Sequence, residues 1–142
     1  MPSFIREKLT RARTQLESAK RNLAEGDTET ACNRAFLAAE NAAAAAIAKA
    51  GGRVEPAHSR IRFQFEDLCD RGTIPYRFRD ILIELYRLRL RGDYGRRFHE
   101  RQRTPELKPE AMQDMIKQVS DLITSIEKIT KRHKTSSRLK DA

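Results

Sequence analysis

The chain has 142 residues, 39% of them hydrophobic and 35% charged, with two cysteines and no tryptophan. That length suits one domain that buries its own core, and two cysteines without a CxxC spacing exclude a disulfide framework or a zinc cluster. Lys and Arg number 29 against 20 Asp and Glu, a net +9, which points either to a polyanionic partner or to plain solubility.

The opening MPSFIREKLTRART carries a charge every few residues. It is read as neither a signal peptide nor a membrane anchor, which gives a cytoplasmic protein as the expectation. From about Ser3 to Ala24, Ile5, Leu9, Ala12, Leu16, Ala19 and Leu23 recur at alternating spacings of four and three, the mark of a helix with one buried face. Gly26-Asp27 stops it, and Asp27 or Thr28 caps a second helix from about Glu29 to Ala50. That helix holds Phe36, Leu37 and the run Ala42 to Ala46, which favours helix and lets a neighbouring backbone come close. Cys32 and Cys69, both in helical patterns, read as small buried hydrophobes in a reducing compartment.

Gly51-Gly52 ends the second helix, and Pro56 fits near the start of a third, through Ile61, Phe65 and Leu68. Phe63 lies on another face. His58 reads as the start of that helix rather than as a site. Arg71-Gly72 closes it and Pro75 opens a fourth, whose stripe is Phe78, Ile81, Leu82, Leu85 and Leu88. Arg89 continues this apolar stripe, four residues after Leu85. Asp80, Glu84, Arg87 and Arg91 take a separate, solvated face. Ile83, Tyr86 and Leu90 make a third, apolar side, so the helix is expected to bury one face in its own domain and another against a second copy of the chain.

Gly92 and Gly95 bracket Asp93-Tyr94 and permit a kink or break there. A fifth helix, about Glu106 to Lys131, shows Met112, Met115, Ile116, Val119, Leu122, Ile123, Ile126 and Ile129, the cleanest amphipathic pattern in the chain. With no convincing strand, the expectation is an all-α, up-and-down bundle of about five helices over residues 1–133, followed by a basic flexible tail over 134–142. His133 is assigned to the frayed end.

The positive charge is clustered. From Tyr86 to Arg103 there are seven arginines against Asp93 and Glu100, a local +5, and KRHKTSSRLKDA sets five bases against Asp141. Arginine forks onto phosphate, and no Trp- and Phe-bearing amphipathic anchor accompanies these patches, so nucleic acid is favoured over a membrane. No Gly-rich phosphate loop, Ser-His-Asp set or metal-ligand spacing is present, and neither metal nor cofactor is expected.

The stretch AFLAAENAAAAAIAKAGG, then AHSRIRFQF at Ala57 to Phe65, then LYRLRLRGDYG at Leu85 to Gly95, resembles the HEPN superfamily, small helical bundles of prokaryotic toxin–antitoxin, defence and CRISPR-associated systems. The likeness is closest to a subgroup with an Ala-rich second helix, a His-containing third helix and an R-x3-D-Y motif, here Arg89, Asp93 and Tyr94. It implies a homodimer acting as a toxin-like ribonuclease or, alternatively, a non-catalytic module that partners a nucleotidyltransferase antitoxin. Active HEPN ribonucleases resemble one another in an R-x(4-6)-H motif that cuts RNA without metal. In this chain, four residues beyond Arg89 lead to Tyr94, and His99 follows Arg89 by nine intervening residues, outside that window.

Cutting RNA through its own 2′-OH needs a base for that proton, an acid for the 5′-oxygen and positive charge on the phosphorane. Histidine serves either proton role. Tyrosine, with a usual pKa of about 10, is a poor base at neutral pH, and arginine stabilises charge without giving up its proton. The candidate catalytic set is therefore Arg89 for phosphate charge, Asp93 to orient it, and Tyr94 or His99 for proton transfer, with Arg91, Arg96 and Arg97 holding RNA. The plainer readings remain beside these. Arg89 fits an ion pair with Asp93 one turn on, Tyr94 a packed aromatic, and His99 an exposed residue of a basic helix. In some HEPN toxins a tyrosine near the motif is modified with nucleotide by the antitoxin, and Tyr94 resembles that target by type and neighbourhood.

Overall fold

A computed structural model describes residues 2–98 and 107–141, and side chains through residue 89 and again from 107 to 131. Among the described residues it is all helix: α1 Ser3–Ala24, α2 Thr28–Lys49, α3 His58–Asp70, α4 Tyr76–Phe98 and α5 Pro109–Asp141. None of these is long and apolar enough to cross a membrane among the described residues.

The stripe read for α1 is the face it buries: Ile5, Leu9, Ala12, Leu16 and Ala19 are all inside. Gly26 turns the chain at φ +85°, a left-handed conformation that L side chains rarely adopt. Asp27 caps α2, its carboxylate accepting from the Thr30 backbone N–H at 3.1 Å and the Thr30 hydroxyl at 2.7 Å. Those bonds hold its pKa below the usual carboxylate value. So short a turn lays α2 antiparallel on α1, and alanines 38, 39, 42, 43 and 45, each fully buried, remove the bulk that would hold the two backbones apart.

Helix α2 touches all four of the others. It is the axis of the bundle, with α1, α3, α4 and α5 around it. Phe65 of α3, Phe78 and Leu85 of α4, and Met112, Leu122, Ile123 and Ile126 of α5 close one continuous core with it. Arg13 ties α1 to α5, its Nη2 donating to Thr124 Oγ1 at 3.0 Å and to Glu127 Oε1 at 2.5 Å. The pair is about a third exposed on each side, so its value lies more in register than in stability.

Two boundaries differ from the sequence reading. Helix α4 runs through Gly92 and Gly95 to Phe98 without a break; a glycine inside a helix costs only about 1 kcal/mol. Helix α5 continues past Lys131 to Asp141. The apolar stripe stops at Ile129, but no Gly or Pro follows to end the helix.

Both cysteines are free and buried. Burial, then the nearby carboxylates of Glu29 and Glu84, push the Cys32 thiol from 9.0 up to about 11. The folded state therefore holds this proton more tightly than the unfolded chain. Its contribution to stability is complete below pH 9 and is lost as pH rises through about 11. At pH 8 a thiol reagent should label Cys32 far more slowly in the folded protein than in urea, and the fall in stability between pH 9 and 11 should be shallower in Cys32→Ala. Equal labelling rates would contradict the burial.

Candidate active site

Arg89 emerges from the apolar face of α4 half-buried, against α2 and the first turn of α3. Its guanidinium carbon lies 4.9 Å from the centroid of the Phe36 ring, a cation over an aromatic face. Its Nη1 approaches His58 Nε2 at 3.4 Å. On the other side of the imidazole, His58 Nδ1 meets Glu40 Oε2 at 2.5 Å. Glu40, Phe36, His58 and Arg89 thus form a single assembly drawn from three helices.

An ionised carboxylate only accepts, so Nδ1 donates to Glu40; a guanidinium only donates, so the Nδ1–H tautomer satisfies both contacts, with the Nε2 lone pair toward Arg89. At 3.4 Å the Arg89 contact is at the long end for a hydrogen bond. Glu40 has 14% of its side chain exposed and His58 45%, so the carboxylate is sheltered and the imidazole is partly open.

Each position has a local cause. Glu40 is the only charged residue in α2 between Arg34 and Lys49, with no basic residue three or four away. Its carboxylate must find a partner on another element or be buried alone. His58 is delivered by the α2–α3 connection, which Gln64 clamps from one turn inside α3. Gln64 Nε2 donates to the Arg53 carbonyl at 2.5 Å, and Glu55 N–H donates to Gln64 Oε1 at 3.1 Å. Gly51, at φ +86°, and the Gly52 N–H bond to the Ile47 carbonyl at 2.9 Å end α2 in the geometry that starts this loop. Phe36, 1% exposed, sets the floor, its ring edge-on to His58 with centroids 5.6 Å apart and tilted to Tyr86 at 5.9 Å.

Of the residues singled out by sequence, Arg89 is in the assembly. Positions 91, 93, 94, 96 and 97 continue α4, and the side chains of Arg91, Asp93, Tyr94, Arg96 and Arg97 lie outside the described residues. His99 lies outside them entirely. The unbroken α4 keeps positions 93, 96 and 97 in register with Arg89 at spacings of four, seven and eight, while position 94 is off that row. His58 and Glu40 are the functional candidates that sequence reasoning passed over. The signal for Glu40 was its isolation in an alanine-rich helix. The signal for His58 was its place just after Pro56, where a helix start brings a side chain up to neighbouring elements. No group of three or more His, Cys, Asp or Glu capable of holding a metal occurs among the described residues.

Residues 5–129 match the family described as HEPN domain. No curated protein matches the chain.

Proposed function

The chain belongs to the HEPN domain family, and from that premise we propose that it binds RNA at Arg89 and His58 and cuts it without metal. The observation that carries this reading is the Glu40–His58–Arg89 assembly: an imidazole held by a carboxylate on one side and in contact with a guanidinium on the other, with the ring partly exposed. It supplies, from α3, the histidine that the R-x(4-6)-H spacing lacks.

In the proposed reaction a phosphate settles on the Arg89 guanidinium, and the neighbouring 2′-OH lies against His58 Nε2. His58 takes the hydroxyl proton, and the 2′-oxygen attacks phosphorus. Glu40 steadies the imidazolium that forms, as a carboxylate does behind a catalytic histidine. Arg89 balances charge on the phosphorane. The 5′-oxygen leaves with a proton from Tyr94 or His99, and a 2′,3′-cyclic phosphate remains. Arg91, Arg96 and Arg97 hold the flanking strand, Asp93 orients Arg89, and two copies of the chain work together as a dimer.

The test is cleavage of total RNA in EDTA by wild type and Arg89→Ala. Wild type should yield cyclic-phosphate ends, and Arg89→Ala should lose about 10²-fold or more in rate, the usual cost of removing a charge-stabilising donor. Intact RNA with the wild type, together with a stable complex with a nucleotidyltransferase, would instead assign the chain to the non-catalytic partner class.

A further inference from the structure

The Arg89–His58 site does not stop at Phe36. Tyr86, tilted against Phe36, is covered on its far side by Arg62, whose guanidinium carbon lies 4.9 Å from the Tyr86 centroid and 5.2 Å from that of Phe63. Phe63 is 56% exposed, the most exposed large apolar side chain among the described residues. A row of rings and guanidiniums, Arg89, Phe36, Tyr86, Arg62 and Phe63, therefore runs from the site out to solvent, and it ends on an exposed aromatic ring.

A single exposed phenylalanine is ordinary on a protein surface. This one differs in its setting. Arg62 lies between two rings, and among the described residues no carboxylate pairs with it. Its N–H groups remain available to a strand while its plane is held by the aromatics. Arg62 is one helical turn beyond His58 on nearly the same face of α3, a rise of about 6 Å, and Phe63 is the next residue, turned about 100° further round the helix.

We propose that Phe63 and Arg62, backed by Tyr86, form a platform on which a base of an unpaired RNA strand stacks beside the phosphate held at Arg89 and His58. The proposal rests on the RNA-binding reading above and adds its substrate class. Stacking on an aromatic face needs a base that is splayed out, so a platform of this kind selects single strands over duplex, with little dependence on base identity. The clustered positive charge of the chain supplies the rest of the attraction, since it acts on any phosphate backbone.

The experiment measures anisotropy of a fluorescein-labelled, 2′-O-methylated single-stranded oligonucleotide, which binds without being cut. The same strand in duplex and the same strand with abasic positions serve as comparisons. Phe63→Ala should weaken single-strand binding about tenfold, the value of one stacked base, while Phe63→Trp retains it. On duplex and abasic strands the alanine variant should match wild type, and its salt dependence should be unchanged because no charge is lost. An alanine variant within about twofold of wild type on the single strand, or equally weakened on all three probes, overturns the platform while leaving RNA binding intact. A wild type that binds none of the probes removes both readings. Light scattering separates one more outcome: loss of a dimer in Phe63→Ala would assign this face to a second copy of the chain and overturn the proposal.

Discussion

Replacing His58 with alanine should slow RNA cleavage by about 10²–10⁴-fold, the range covered by a positioned general base, with RNA affinity close to wild type. The split follows from the geometry. In the proposed reaction most of the phosphate charge is met by Arg89 and the basic surroundings, whereas His58, its Nε2 beside the guanidinium, takes the 2′-OH proton. Stability should fall by about 1–3 kcal/mol, because the truncation leaves the sheltered Glu40 carboxylate without its partner. Glu40→Gln should give an intermediate loss. Its amide still offers an oxygen to Nδ1–H but no longer carries the charge that steadies the imidazolium. Single-turnover rates at saturating RNA, with filter binding for affinity, separate the two effects. Undiminished cleavage by His58→Ala would remove the base from this position and return proton transfer to Tyr94 or His99.

The largest stability effect is expected at Phe36. It is 1% exposed at the centre of the bundle, and Phe36→Ala should cost about 3–5 kcal/mol through lost transfer energy and the cavity left behind. For a domain of this size that lowers Tm by about 10–20 °C. The same truncation at Phe65, which is fully buried but contacts none of the site groups among the described interactions, should cost about as much. The two differ in function. Phe36→Leu keeps most of the volume but removes the ring beneath Arg89 and beside His58, so it should impair cleavage in a protein that stays folded, while Phe65→Leu should not. Calorimetry and the cleavage assay on the four variants check this. Wild-type activity in a folded Phe36→Leu protein would show that the ring is filler.

The fold was legible because it is written in spacing. The alternation of four and three in α1 names its buried residues one by one, and glycines or prolines mark most ends within a few positions. Where punctuation was absent or weak, the ends were not legible. Two glycines did not interrupt α4, and a polar stretch did not terminate α5. Of the site, only Arg89 was legible, because a charge on an apolar stripe breaks a pattern. His58 breaks none, since a histidine at a helix start is unremarkable. Its meaning comes from Glu40, eighteen residues earlier, and from Arg89, thirty-one residues later. Periodicity within one helix carries no information about which helices meet. The HEPN resemblance agrees with the family match over residues 5–129, yet its R-x3-D-Y motif lies along α4, whereas His58 comes across from α3.

The run of buried alanines in α2 divides the molecule into parts with different freedom to change. Five of them are fully enclosed, so any larger side chain must push α1 or another neighbour away, at about 1–3 kcal/mol for each overpacked position. The axis of the bundle is in that sense a closed text. Phe63, more than half exposed, and the open edge of His58 stand outside it, on α3. A lineage adapting this domain to a new target has room to do so on α3 and along α4, and almost none at the centre.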